Sequence, residues 1–126
     1  MSKTARELTQ GELEEYREAY RERAVEEERA RQERERRARE LARQAADLLG
    51  RRFGATRVVL FGSLAGGHFT LWSDVDVAAW GIKPQDTLAA LGAVQDLSDE
   101  IAVSFVDVGA CRAPILASIE AEGVEL

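Results

Sequence analysis

Two aspartates, Asp74 and Asp76, stand one residue apart where an apolar run begins, in the segment DVDVAAW. Side chains of a strand alternate between its two faces, so both carboxylates are predicted to project from one face, about 7 Å apart. Two carboxylates held side by side repel each other and resist burial unless a cation lies between them. Oxygen ligands of this kind suit Mg²⁺, which binds one or two carboxylates together with substrate phosphates. The pair therefore predicts a divalent-cation site.

A second set of polar residues precedes this pair. The apolar run of residues 58–61 ends abruptly at Gly62-Ser63. Gly62 lets the backbone approach a ligand closely, and Ser63 offers N–H and hydroxyl donors to an anion. Ser73, next to the first aspartate, is predicted to orient the carboxylates by a hydrogen bond. Together Gly62, Ser63 and Ser73 predict a nucleotide-binding cradle that faces the cation site.

The spacing of these residues resembles that of a known superfamily. Gly62-Ser63, ten intervening residues and Asp74-Val75-Asp76 resemble the G-S-x10-D-x-D signature of the nucleotidyltransferases that include DNA polymerase beta. Within this superfamily the chain is most similar to the minimal nucleotidyltransferases (the MNT group), many of which are antitoxins paired with HEPN-domain toxins. The resemblance covers about residues 45–126.

The resemblance implies a reaction and its ligands. In this family a third catalytic carboxylate lies on the strand beside the D-x-D strand, and Asp107 matches it in position. Asp74, Asp76 and Asp107 are then the catalytic residues and the ligands of two Mg²⁺ ions, with ATP as co-substrate. The implied enzyme is of adenylyltransferase type and passes AMP to a hydroxyl of a macromolecular acceptor. A HEPN-type toxin is the implied partner, which makes this chain the antitoxin.

Asp107 is a candidate site residue independently of the resemblance, because it interrupts the apolar run of residues 103–108. A buried, unpaired carboxylate costs several kcal/mol, so a partner or a cation is expected beside it. The alternative is that Asp107 lies exposed at the end of a strand or pairs with Arg112.

Part of the family pattern is missing. Many relatives read G-S-R-A-R-G, whereas residues 62–67 read GSLAGG and contain neither arginine. An alternative function follows, in which a catalytically weak or inactive antitoxin neutralises its partner by binding. A third hypothesis is a scaffold built around the N-terminal helix. Trp72 is expected to plug the loop beside it, with stacking on a nucleobase as the alternative.

For the elements that position these residues, the resemblance implies an α/β (α+β) nucleotidyltransferase fold, in which helices pack on a small mixed sheet over residues 45–126. Strands are expected over residues 57–61, 74–80 and 101–108, and a short edge strand over 124–126. Apolar residues at helical spacing predict a helix that packs on the sheet through Leu88, Leu91, Val94 and Leu97. A last helix is predicted over 112–122, with Pro114 early and Gly123 past its end.

Residues 1–44 are predicted to form a separate unit, a long charged helix that precedes the domain. From Glu12 to about residue 49 the chain is rich in strong helix formers, and the spacing of Thr9 and Glu12 indicates a helix start. The expected arrangement is a docked C-terminal end, a solvated charged middle and an apolar tip with Leu13, Tyr16 and Tyr20. This arm either stays solvated or serves partner binding or self-association.

The composition limits the class of partner and the cellular compartment that we expect. The net charge is −6, and residues 51–126 hold five basic and ten acidic side chains, so nucleic acid is not expected as the main partner. The only cysteine, Cys111, excludes an internal disulfide and a cysteine-based zinc site, which fits a reducing cytoplasm. No apolar run approaches the length of a membrane span or a secretion signal. We therefore expect a cytoplasmic protein without a membrane partner.

Overall fold

The computed structural model of the protein describes residues 8–126. Its longest element is helix α1, Gln10–Phe53, which spans 44 residues. Thr9 caps the helix, because its hydroxyl accepts a hydrogen bond from the backbone N–H of Glu12 at 3.1 Å. The predicted helix start is thereby confirmed, while residues 1–7 of the predicted arm lie outside the described residues.

Helix α1 ends later than the sequence predicts. The helix is predicted to reach about residue 49, with a break over residues 50–54, yet Gly50 lies within it, and the helix ends at Phe53 with Gly54 as its C-cap. Gly54 has a φ of 70°, in the left-handed region, and its N–H bonds to the carbonyl of Leu49. A left-handed residue at this position satisfies the last carbonyls of a helix, so Gly54 rather than Gly50 terminates α1.

Four strands form one mixed sheet in the order β3-β2-β1-β4. Strand β1 is antiparallel to both β2 and β4, and β2 is parallel to β3. The predicted mixed sheet, including the short edge strand near the C terminus, is confirmed. The strands are β1, Arg57–Phe61; β2, Val75–Trp80; β3, Val103–Asp107; and β4, Val124–Glu125.

Helices cover both faces of the sheet. Val77 of β2 packs in a core that α1 and α3 cover, whereas its neighbour Ala78 packs against Ile119 of α4. We call these sides the α1 face and the α4 face. The helices that follow α1 are α2, Gly62–Gly66; α3, Thr87–Gln95; and α4, Ala113–Glu122, and single 3₁₀ turns occupy Pro84–Asp86 and Val108–Ala110.

Helix α3 meets the core through Ala90 and Val94, which are fully buried. The prediction that Leu88 packs on the sheet is wrong, because 83% of Leu88 is exposed. At 100° per residue Leu88 lies far around the helix from Ala90, so both cannot face the sheet. Ala90 and Val94 therefore form this contact, and the predicted Leu97, just beyond the helix, packs against the same core.

Helix α1 is docked along its second half only. Ala38, Leu41, Ala42, Ala45 and Leu49 are buried in the core. Residues 14–30, which we call the free arm, are exposed throughout. The predicted boundary at residues 44/45 thus falls inside one continuous helix. Among the described residues, no helix combines the length and the apolar character that crossing a membrane requires.

Candidate active site

The site forms where β1 ends opposite the start of β2. The register pairs Phe61 with Asp76, so the next residue, Gly62, lies beside the Asp76 carboxylate. Gly62 has a φ of 74°, and a Cβ atom built on it would lie 2.7 Å from Oδ2 of Asp76. Such a contact is too short for any side chain, so only glycine leaves this carboxylate in place. The close approach predicted for Gly62 is thus an approach to Asp76.

The aspartate pair lies at the first residues of β2. Asp76 is half-buried within the strand, and Asp74 is exposed just before its first residue, Val75. Strand alternation places Asp76 on the α4 face, the side of Ala78. Asp76 therefore lies on the side of the sheet opposite α1, and Asp74 lies at the turn that leads into β2.

A serine that the sequence reasoning missed completes this cluster. Ser104 of β3 lies beside Asp76 in the parallel register, and its hydroxyl donates a hydrogen bond to Asp76 Oδ1 at 2.8 Å. Ser104 thus occupies the place on the neighbouring strand where a third carboxylate was expected. No sequence pattern marks Ser104 as a site residue, because its role depends on the register between two strands that are distant in sequence.

Asp107 lies apart from the pair, which corrects the expectation that three carboxylates converge. It pairs with Ala79, three residues beyond the Asp76–Ser104 pair and therefore about 10 Å along the strands. Its odd offset turns the side chain to the α1 face. There its carboxylate accepts hydrogen bonds from Thr87 Oγ1 at 2.7 Å and from the backbone N–H of Gly109 at 3.0 Å. Asp107 thus joins β3 to the start of α3, and this partner is Thr87 rather than Arg112.

The serines predicted to bind nucleotide lie in two different environments. Ser63 is the second residue of α2, and its carbonyl accepts a hydrogen bond from the N–H of His68 at 2.9 Å. The Ser73 hydroxyl lies 3.0 Å from both the N–H and the hydroxyl of Thr70. Ser73 therefore stabilises the turn that leads into Asp74, which differs from its predicted role as a partner of the carboxylates.

Helix α1 holds this turn from the other side. Arg34 donates to the carbonyl of Ser73 at 2.9 Å, and Arg31 donates to the carbonyl of Phe69 at 3.3 Å. The hydrogen bonds that Arg31 donates to the carboxylates of Glu28 and, to a lesser extent, Glu35 raise the pKa of its guanidinium. Both arginines fall in a stretch that the sequence predicted to be solvated. Their helical spacing with buried Ala38 is the signal that could have found them.

The turn holds one aromatic side chain in solvent. Trp72 is 87% exposed, so the predicted hydrophobic plug is wrong. Its backbone N–H bonds to the Thr70 hydroxyl at 3.1 Å, and Phe69 at the start of the turn is buried. The turn is therefore anchored on both sides of the exposed indole.

The donor set at Asp76 suits one hard cation. Asp74 and Asp76 supply carboxylate oxygens, Ser104 supplies a hydroxyl, and the exposure of Asp74 leaves room for water and phosphate ligands. Within residues 8–126, no three or more histidine, cysteine or acidic side chains come together in a way that could hold a metal ion. The residues present therefore fit a cation whose coordination a substrate completes, but they do not fit the expected three-carboxylate set.

Fold and site together define an α+β domain with a paired-aspartate site next to a glycine–serine turn. A family model described as a nucleotidyltransferase domain matches residues 42–121. This match covers more than half of the chain, so the protein belongs to the nucleotidyltransferase domain family, whose general chemistry is nucleotidyl transfer.

One solved structure supports the same fold. It is the crystal structure of a protein from Sulfolobus solfataricus described as a candidate nucleotidyltransferase, and it superposes with a TM-score of 0.53 at 20% sequence identity. The alignment covers 76% of this chain and 85% of that one. At this identity the likeness concerns the fold alone. No curated protein matches the chain.

Proposed function

We propose that the protein transfers the nucleoside monophosphate of a nucleoside triphosphate, with ATP as the donor, to a hydroxyl of a macromolecular acceptor. The observation that carries the proposal is Asp76 at the start of β2, with Gly62 against its carboxylate and with the exposed Asp74 just before the strand. Family membership supplies the reaction class, and the donor set supplies the cation.

Each residue has a role in this reaction. Asp76, oriented by Ser104, and Asp74 would hold Mg²⁺, and the backbone of Gly62 and Ser63 would bind the β- and γ-phosphates. Bound Mg²⁺ supplies charge neutralisation on the phosphates, and the family resemblance favours two ions. The acceptor oxygen bonds to the α-phosphorus while the bond to the bridging oxygen breaks and pyrophosphate leaves. Asp74, the exposed carboxylate of the pair, accepts the hydroxyl proton in place of the distant Asp107.

The biological setting that we propose is a toxin–antitoxin pair. The resemblance to minimal nucleotidyltransferases favours an antitoxin, and the acceptor is then a tyrosine hydroxyl of a HEPN-type toxin. The long helix α1 supports a protein partner, because residues 14–30 extend beyond the docked half and carry exposed tyrosines. This step rests on family analogy.

A second function is favoured by a specific observation. Ser104, rather than a third carboxylate, lies beside Asp76, and Leu64 and Gly66 stand where many relatives have arginines. Fewer charges contact the cation and the triphosphate in consequence. In this second function the protein neutralises its partner by binding it, with weak or no transfer.

Transfer of labelled nucleotide separates the two functions. The chain is incubated with Mg²⁺, ATP labelled at the α-phosphorus and the purified product of the adjoining reading frame as the acceptor. We expect label on the acceptor, its loss in Asp74→Ala/Asp76→Ala, and its retention in the control Leu88→Ala, which changes an exposed residue at the other end of the sheet. The enzyme assignment fails if label is absent or survives the double substitution. If the doubly substituted protein still neutralises its partner, the result supports the binding function.

A further inference from the structure

Arg34 differs from its neighbours on α1 in the groups that its guanidinium contacts. Its Nη2 donates to the carbonyl of Ser73 at 2.9 Å, and its Nη1 donates to the carbonyl of Glu100 at 3.4 Å. Its Nε is shielded from solvent. The neighbouring arginines instead pair with glutamate carboxylates, namely Arg31, Arg36, Arg37 and Arg39. The hydrogen bonds of Arg34 therefore hold backbone, in two segments that are distant from each other in sequence.

These segments are the ones through which the chain enters β2 and β3. Ser73 lies just before Asp74 and the start of β2, and Glu100 lies shortly before the start of β3. Where the two parallel strands begin to pair, the N–H of Val75 donates to the carbonyl of Ala102 at 2.9 Å. Arg34 thus ties the two strands together at the end where their pairing begins.

Both carboxylates of the candidate site depend on this end of the strands. A peptide unit is planar, so the bond to the Ser73 carbonyl fixes the plane in which the Cα of Asp74 lies. The Asp74 side chain is exposed, and its backbone therefore decides where the carboxylate lies. Asp76 pairs with Ser104 in the parallel register, and the 2.8 Å bond between their side chains requires that the strands stay aligned.

Arg34 acts on the site only through the backbone. It belongs to α1, which covers one face of the sheet, whereas the Asp76 carboxylate lies on the other face. A guanidinium presents several N–H donors in one rigid plane, so a single side chain can hold two carbonyls.

We propose that Arg34 is a positioning residue, which aligns the entries of β2 and β3 so that Asp74 and Asp76 can bind the same cation. This inference rests on the proposed function and adds a contribution of α1 to the site. Misplacement of reacting or binding groups by a fraction of their contact distance is enough to weaken binding and slow a reaction.

Two matched variants separate positioning from charge. Arg34→Met keeps the length of the side chain but removes its donors and its charge. The control Arg37→Met removes the same charge from the same loop, because Arg37 pairs with the Glu100 carboxylate rather than with a carbonyl. An exposed ion pair of this kind contributes little to stability. A difference between the two variants therefore reports on the carbonyl bonds.

Hydrogen exchange followed by NMR tests the alignment of the strands in the full chain. We expect the Val75 amide to exchange at least about tenfold faster in Arg34→Met. The Thr56 amide bonds to the Trp80 carbonyl at 2.8 Å at the other end of β2, and we expect its exchange to change less than about twofold. In Arg37→Met both amides should exchange as in the wild type. Equal acceleration at both amides of Arg34→Met would be a general loss of stability and overturns the proposal.

Cation binding then connects the strands with the carboxylates. Mn²⁺ is titrated calorimetrically with a non-hydrolysable ATP analogue present. We expect its Kd to rise about tenfold in Arg34→Met and to stay within about twofold in Arg37→Met. An unchanged Kd despite faster exchange at Val75 overturns the role of Arg34 at the site. If Arg34→Met does not fold, Arg34→Lys, which keeps the charge without the planar fork, should raise the Kd about threefold, and a wild-type Kd in that variant overturns the proposal.

Label transfer distinguishes this inference from the proposed function. We expect Arg34→Met to need about tenfold more Mg²⁺ than the wild type for half-maximal transfer. Weaker Mn²⁺ binding in Arg34→Met, together with no transfer by the wild type, contradicts the transfer function and leaves the positioning role standing. Transfer by the wild type with an unchanged Mg²⁺ requirement in Arg34→Met overturns the positioning role and leaves the transfer function standing.

Discussion

The two ends of strand β3 carry polar side chains that face opposite sides of the sheet. Ser104, near the start, lies beside Asp76 and donates a hydrogen bond to it, whereas Asp107, at the end, bonds to Thr87 on the other face. By residue type Asp107 is the better metal ligand, but by position Ser104 is the residue at the site. Register and side-chain alternation therefore decide which residue of this strand can act in the reaction.

The largest effect is expected from the matched substitutions Asp76→Asn and Asp107→Asn. Asp76→Asn removes one carboxylate charge from the cation site and should lower nucleotidyl transfer at least a hundredfold, or about 2.7 kcal/mol of barrier. Asp107→Asn should keep the rate within about twofold. Rates of label transfer at saturating ATP measure both effects. A greater loss of rate in Asp107→Asn than in Asp76→Asn would show that Asp107, and not Asp76, acts in the reaction.

A second pair of variants tests the contact between Gly62 and Asp76. Ala at position 62 or 67 adopts an unfavourable left-handed conformation, which costs roughly 1–2 kcal/mol of stability in each. Only at position 62 does the new Cβ meet the Asp76 carboxylate, since nothing lies within 4 Å at position 67. We therefore expect Gly62→Ala to lose about tenfold in transfer rate, while Gly67→Ala retains it. Equal rates after correction for the folded fraction would argue against the contact.

Substitution of Ser104 sharpens the comparison by restoring a charge at the correct register. Ser104→Asp places a third carboxylate beside Asp76, and we expect about tenfold tighter Mn²⁺ binding, or ~1.4 kcal/mol. Calorimetric titration of Mn²⁺ with a non-hydrolysable ATP analogue present measures the gain. The isosteric Ser104→Ala serves as the control and should not tighten binding. An affinity for Ser104→Asp at or below that of the wild type would show that this position does not face the cation.

The smallest effect is expected from a variant that tests Asp107 for a role in stability alone. Thr87→Val removes the donor of the 2.7 Å bond without a large change in volume. It should lower the free energy of unfolding by about 1 kcal/mol. Urea denaturation followed by circular dichroism measures the loss, and the transfer rate of the folded variant should not change. A change in the metal affinity of this variant would show that Asp107 does influence the cation site.

The sequence predicts the part of the site that rests on local geometry. Gly62, Asp74 and Asp76 belong to one segment whose glycine–serine turn and strand alternation can be read from neighbouring residues. The same holds for the cap at Thr9, where the interacting groups lie three residues apart. The strands were likewise predictable, because the apolar runs and the turns between them occur in order along the chain, whereas the mixed pairing was implied by the family resemblance.

The rest depends on contacts between distant segments. The choice between Ser104 and Asp107 requires the β2–β3 register, which packing of α3 and the intervening loop determines. Arg34 sits in a charged stretch, and its contact with the Ser73 carbonyl joins residues 39 apart in sequence. The exposure of Trp72 likewise follows from how α1 and the turn meet. Helical spacing with Ala38 could place Arg34 on the docked face of α1, but composition and periodicity do not identify which distant residue it contacts.

Cation binding tests the central claim most directly. Mn²⁺ is titrated calorimetrically into the wild type, Asp76→Asn and Asp107→Asn, each with the same non-hydrolysable ATP analogue and each checked for folding by circular dichroism. The account predicts that Asp76→Asn loses Mn²⁺ binding, whereas Asp107→Asn binds with the affinity of the wild type. Loss of binding in Asp107→Asn together with wild-type affinity in Asp76→Asn would contradict it.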